Sequence, residues 1–201
     1  MKQRTWTRRC LGFALLIASW TAQADWLLDN ATSQLSFVSV KATDVVEVHR
    51  FNQLSGTIYD SGKRTGDAEL SVHLASVNTQ IPLRDSRMRD LLFEIAKFPT
   101  AELFGSLELS DFTQLAIGDS MSTNVSLTLD LHGNQAPVEA VVLVSRLGTD
   151  RIMVTSAQPV VVQAQTFGLL KGIDALREAA GLPSISKAIP VSFVLTFIQS
   201  V

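Results

Sequence analysis

The chain has 201 residues, of which 46% are hydrophobic, 18% charged and 7% aromatic, and its formal net charge is −2. This composition excludes a disordered chain, a collagen-like repeat and a many-domain assembly, and leaves one domain or two small ones. The acidic balance argues against nucleic acid as a partner, because phosphate binding by counterion release needs a basic face.

Residues 1–24 read as a secretory signal peptide. Lys2, Arg4, Arg8 and Arg9 form a basic start, Leu11 to Trp20 is apolar, and Ala22-Gln23-Ala24 places small residues where a signal peptidase reads. A membrane anchor needs about 20 apolar residues, twice the length of this run. Arg8-Arg9 leaves twin-arginine export open beside the ordinary secretory route. Cleavage after Ala24 leaves residues 25–201, and taking four leader cations from 17 leaves 13 Lys and Arg against 19 Asp and Glu, a net charge of −6. The single cysteine, Cys10, departs with the leader. The remainder is therefore expected to be a soluble exported domain that stands without disulfides. No segment of it reaches the length of a membrane span.

From Leu35 onward the dominant pattern has period two, which sends one row of side chains inward and the other to water. It predicts strands at Leu35–Val40, Val45–Phe51, Ala68–Leu74, Ala101–Phe112, Val125–Leu131, Val138–Leu147, Arg151–Ala164 and Ile189–Phe197. Turn signals at Asp60-Ser61-Gly62, Leu115–Asp119, His132-Gly133-Asn134 and Gly148-Thr149-Asp150 separate them. About eight short strands with such punctuation point to an all-β antiparallel sandwich or barrel. Two segments break the pattern. Arg84–Lys97 places Met88, Leu91, Leu92 and Ile95 at helical spacing between Pro82 and Phe98-Pro99, and Ile173–Ala180 reads as a second short helix stopped by Gly181 and Pro183. Some strands are apolar on both rows, as at Val141 and Leu143 or Val194 and Ile198. Such strands are covered twice, by the helices, by a partner subunit such as a second copy, or by a long apolar guest.

Signatures of chemistry are sparse. Residues 25–201 hold no cysteine, and His49, His73 and His132 show no metal-ligand spacing, so neither a metal nor a cofactor is expected. There is no G-x-S-x-G, and Gly62-Lys63-Arg64-Thr65 fails as a phosphate-binding loop because Thr65 does not follow Lys63 directly. The sequence does not read as an enzyme. Its densest charge cluster, Arg84 to Asp90, is either a solvated helix start or holds a fixed Arg84–Asp85 pair at the mouth of the fold, where an arginine meets a phosphate or carbonyl head group.

Taken in order, several segments resemble the YceI-like family of exported lipid-binding proteins. Trp26 to Asp29 with Ser33 to Phe37 resembles its opening W-x-x-D and S-x-x-x-F. Phe51 to Ile58 resembles F-x-x-x-x-G-x-I. Thr79, the Arg84-Asp85 pair, Phe93 and Phe98-Pro99 match its most specific part. Leu127-Thr128-Leu129, His132-Gly133 and Pro137-Val138 resemble its L-T-L hairpin with altered spacing, and Phe167-Gly168-Leu169 its F-G-[IL] element. The chain departs from the family at Ser86, Arg87 and Met88, where a histidine is common, and at Gln163 to Thr166, where an arginine is.

The resemblance implies an extended, lipocalin-like antiparallel β-barrel of about eight strands with one or two short covering helices. It also implies a periplasmic location and an isoprenoid lipid, a prenyl phosphate or a quinone tail, in the apolar interior. The inward rows then supply the channel: Phe37, Phe51, Leu54, Leu70, Val72, Phe93, Phe104, Leu127, Leu129, Phe167, Val191, Phe193 and Phe197, with Arg84 and Asp85 at the head group. Strands of about nine residues at roughly 3.3 Å each give a channel near 30 Å. Three buried isoprene units, at about 0.8 kcal/mol per methylene, supply a gross ~10 kcal/mol of binding before ordering costs. The rival reading is a non-catalytic interaction module with a solid core that binds a protein partner.

Overall fold

The computed structural model describes residues 25–60, 64–109, 112 and 114–200. The expected leader, the expected Ser61-Gly62 turn and Lys63 of the rejected phosphate loop lie outside the described residues. The elements in chain order are β1 (Trp26–Leu28), β2 (Gln34–Lys41), β3 (Val45–Phe51), β4 (Leu54–Tyr59), β5 (Thr65–His73), β6 (Val77–Asn78), α1 (Pro82–Arg87), β7 (Thr100–Glu108), β8 (Ser120–Leu131), β9 (Asn134–Arg146), β10 (Arg151–Ser156), β11 (Val160–Gln163), α2 (Leu170–Ala179) and β12 (Ala188–Gln199).

Antiparallel pairing runs β1-β4-β5-β7-β8-β9-β10-β12, and β12 returns to β1 through Leu28↔Phe197 and Trp26↔Gln199, closing a barrel of 8 strands. Further along β12, β2 takes over the pairing at Leu35↔Phe193 and Phe37↔Val191, and β3 runs beside β2. One end of the wall is thus closed by β1 and the other is prolonged by the β2–β3 hairpin. The β8–β9 hairpin is the longest pairing, from Ser120↔Ser145 to Leu131↔Asn134. Its tip is the expected His132-Gly133 turn, with φ of 55° and 73° at the two central residues. Two positive φ values match the right-handed twist of the flanking strands.

Four expected elements change in detail; the strand expected over Ala101–Phe112 is β7, which ends at Glu108. The strand expected over Arg151–Ala164 is two strands, β10 and β11, both paired to β12. Pro159 stands between them, and a residue without an N–H interrupts a ladder. The first helix starts at Pro82, runs as α-helix to Arg87, and widens to a π-helix over Met88–Leu92. There the Phe93 N–H reaches the Met88 carbonyl, and Glu94 takes a φ of 47°, so the helix ends before the expected Lys97. The wider turn re-aims the apolar stripe: Met88 and Phe93 are buried, whereas Leu91 is 40% exposed. The second helix, α2, begins at Leu170, ahead of the expected Ile173. Gly172 lets it lie against the backbone of the π-helix, because a Cβ there would sit 2.7 Å from the Leu91 carbonyl oxygen. The two helical segments therefore form one cover over the barrel.

Candidate functional site

On an ordinary strand of a solid barrel the inward row is buried throughout. β8 does not follow that rule: Leu129 and Leu131 are buried, yet Val125 and Leu127 on the same row keep part of their surface accessible. The reason is a cavity of about 480 Å³ running inside the barrel, lined mostly by apolar side chains. That volume suits a single ligand, since such sites span roughly 300–1,000 Å³. The interior of the barrel is therefore not solidly packed. A second void of about 50 Å³ continues the bore toward β1. It shares Ile58, Leu107, Val125, Val142 and Val154 with the main cavity and ends on Trp26.

Ten of the expected channel residues meet on this wall: Phe37, Phe51, Leu70, Val72, Phe93, Leu127, Leu129, Val191, Phe193 and Phe197. Leu54, Phe104 and Phe167 do not. Leu54 pairs with Val72 and is buried in the packed core beside the wall. Phe104 is one residue out of phase, because Ala101, Leu103 and Leu107 take the inward row of β7 while Phe104 pairs with Glu69 and Thr128. Phe167 lies in the turn before α2 and is 3% exposed within the core. Phe37, Phe51 and Phe93 form a chain of tilted rings with centroids 5.3 and 5.9 Å apart, joining β2 and β3 to the cover. The doubly apolar strands keep outer side chains: Leu143 and Val194, both about 39% or less exposed, flank Thr155 across β9, β10 and β12.

The cavity has one polar end, built by β2, β3 and α1. Ser39, Lys41, Glu47, His49, Arg84 and Arg87 all line it. Glu47 accepts hydrogen bonds from Lys41 Nζ at 2.8 Å and from Arg84 Nη1 at 2.6 Å. The Lys41 hydrogen bond is the main reason its carboxyl stays below the ordinary glutamate value, with burial opposing and Arg84 assisting. Arg84 Nη2 also donates to the Thr79 carbonyl at 2.8 Å, and Arg87 donates to the Ala179 carbonyl at 3.0 Å, tying α1 to β3 and to the end of α2. Asp85 does not join this group. Its Oδ1 accepts from the Thr79 N–H at 2.8 Å and the Thr79 hydroxyl at 2.5 Å, and its side chain is not among those lining the cavity. The sequence pair thus splits into Arg84 at the mouth and Asp85 as the anchor of its turn.

Sequence reading missed Lys41, Glu47 and His49. The signal was an inverted strand: on β3 the valines at 46 and 48 face out, while Glu47 and His49 share the inward row with Phe51. His49 is 5% exposed, its Nε2 lies 2.8 Å from Ser39 Oγ, and its ring packs on Phe37 with centroids 5.2 Å apart. Burial, helped by the charge of Arg84, lowers its pKa below the ordinary imidazole value. In the unfolded chain His49 takes a proton at about pH 6.5, so the unfolded state binds more protons just below that pH. This contribution to stability is complete above about pH 6.5 and is lost as pH falls through the folded pKa. His49→Gln is expected to flatten the decline of Tm between about pH 7 and 5. Parallel slopes in the two proteins, read by calorimetry, would refute the assignment. Glu47 acts in the same direction at lower pH, its contribution fading as pH falls below about 4.3.

Among the described residues, no group of three His, Asp or Glu side chains converges to hold a metal ion, and no helix is long and apolar enough to cross a membrane. His73 is exposed on β5, and His132 sits 3.0 Å from Glu94 Oε2, clipping the end of the cover to the β8–β9 hairpin.

No curated protein matches the chain. Among solved structures, a polyisoprenoid binding domain from Saccharophagus degradans, described as implicated in plant cell wall breakdown, is 42% identical with a TM-score of 0.82, covering 88% of this chain and 98% of its own. Burkholderia cenocepacia BcnA shares the fold at 19% identity and a TM-score of 0.64, covering 84% of this chain and 98% of its own. The sequence profile of the YceI-like domain matches residues 26–197, and the chain belongs to that family.

Proposed function

We propose that this protein is a non-catalytic carrier or sequestering protein for one isoprenoid lipid, working in the periplasm after removal of residues 1–24. The observation that carries this reading is the apolar cavity of about 480 Å³, apolar toward Trp26 and polar at the other end. An apolar bore with one polar end fits an amphiphile with a long tail and a small head. The tail runs between Phe37, Phe51, Leu70, Leu127, Val191 and Phe193, and the head group, a prenyl phosphate or a quinone ring, lies among Lys41, His49 and Arg84. Apolar burial supplies the affinity, and no proton or electron transfer is required. The polyisoprenoid binding of the 42%-identical Saccharophagus domain supports this assignment.

The test is mass spectrometry of an organic extract from the protein purified after export without detergent. A near-stoichiometric isoprenoid lipid is expected, together with an N-terminus at Asp25. An empty extract, followed by no uptake of added prenyl lipids, would overturn the reading.

A further inference from the structure

A lipid carrier exchanges its cargo with a membrane, and the elements that build the polar mouth carry some of the most exposed aliphatic side chains among the described residues. Glu47 lies between two outward valines, Val46 and Val48, which are 60% and 69% exposed. Arg84, bound to Glu47 at 2.6 Å, follows Leu83, which is 62% exposed, and Ile81 nearby is 47% exposed. Four exposed aliphatic side chains therefore flank, along the chain, the two residues of the ion pair that lines the cavity's polar end. β3 keeps its outer edge free over residues 45–49, since β6 pairs with it only at Arg50 and Phe51. Isolated exposed aliphatics are ordinary on a protein surface; a cluster around the opening of an apolar cavity is not.

Charge is also partitioned. Segments 41–50, 81–90 and 174–187, which frame the mouth, carry seven Lys and Arg against six Asp and Glu, whereas the remainder of residues 25–201 carries six against thirteen. The mouth is thus at +1 and the rest at −7. Against an anionic surface the body is repelled and only this end is tolerated, so charge orients the molecule with its opening toward the surface.

Resting on the lipid-carrier reading, we infer that the mouth is a membrane-docking surface: Val46, Val48, Ile81 and Leu83 dip into an anionic lipid surface and bring the cavity opening to the bilayer. Lipid then passes between bilayer and bore without crossing water. The tips of such aliphatic side chains reach the apolar boundary, as in other interfacial contacts.

The experiment follows transfer of a fluorescent prenyl lipid from phosphatidylglycerol–phosphatidylethanolamine vesicles to the exported protein, with flotation of the protein on the same vesicles as a second readout. The comparison protein is the double variant Val46→Asp, Val48→Asp, whose changes lie on an exposed face of an edge strand. The inference expects a transfer rate that rises with vesicle concentration and falls at least tenfold in the variant. Affinity for a short, water-soluble prenyl analogue should be unchanged. Transfer at one rate in both proteins, independent of vesicle concentration, would overturn the docking surface while leaving the carrier reading intact. Should neither protein take up the lipid or the analogue, the carrier reading fails, and flotation still decides docking: equal flotation of the two proteins refutes it. Leu83→Asp, on the cover instead of the sheet, repeats the test if the strand variant does not fold.

Discussion

Replacing Ala140 with phenylalanine is expected to shorten the lipid tail this protein accepts while leaving the fold intact. Ala140 lines the cavity on β9, two residues before Val142, where the main cavity meets the small void that ends on Trp26. A phenyl ring at that level fills the bore and denies its far end to a ligand. A tail that loses three or four buried methylenes, at about 0.8 kcal/mol each, forfeits roughly 100-fold in affinity. A tail too short to reach Ala140 loses nothing. In a solid core the same insertion costs about 1–3 kcal/mol of stability by overpacking; here the ring enters open space and Tm should hold. Titration of prenyl lipids of increasing length into both proteins, beside thermal melts, reads the two effects together. Identical length profiles with a collapsed Tm would show that the interior is not the binding site.

The second large effect concerns Asp85 and is one of stability. Its carboxylate takes two hydrogen bonds from Thr79, a residue 4% exposed, and so fixes the turn that presents Arg84 to Glu47. Hydrogen bonds to a charged group are worth about 1.5–3 kcal/mol, and removing the acceptor leaves a buried donor unsatisfied. Asp85→Ala should therefore cost about 3 kcal/mol, which in a domain of this size lowers Tm by roughly 6–12 °C. Affinity for a prenyl lipid measured well below that temperature should change little, because Asp85 does not reach the cavity. Arg84→Gln is the counterpart: it leaves the Thr79–Asp85 bonds in place and acts at the mouth. A variant at Asp85 that keeps its Tm but loses lipid would return Asp85 to the head-group site.

Splitting the Arg84-Asp85 pair shows where sequence reading stops. Adjacent residues on a helix point about 100° apart, so one can face the cavity while the other anchors a turn. Which does which depends on where β3 and Thr79 lie in space. The same limit explains Phe104. Its neighbours alternate cleanly, but the phase of β7 is fixed by its pairing with β5, and that pairing puts Leu103 opposite Leu70 on the inward row. The split of β10 from β11, by contrast, was readable in Pro159.

Local rules in the sequence determined most of the architecture. Period-two alternation and turn residues set the strands and hairpins, because a pleated strand with one wet face admits no other pattern. Clustered helical spacing set the two covering segments. What tertiary structure alone decided is that the inward rows do not meet. An alternating strand looks the same whether its apolar row packs on another or borders a cavity. Only barrel closure between β12 and β1, and the extension of the wall by β2 and β3, fix the width and depth of the space between them. The polar end was likewise decided in three dimensions. Lys41, Glu47 and Arg84 lie on β2, β3 and α1, and their charges attract over a few ångströms only once closure has brought those elements together.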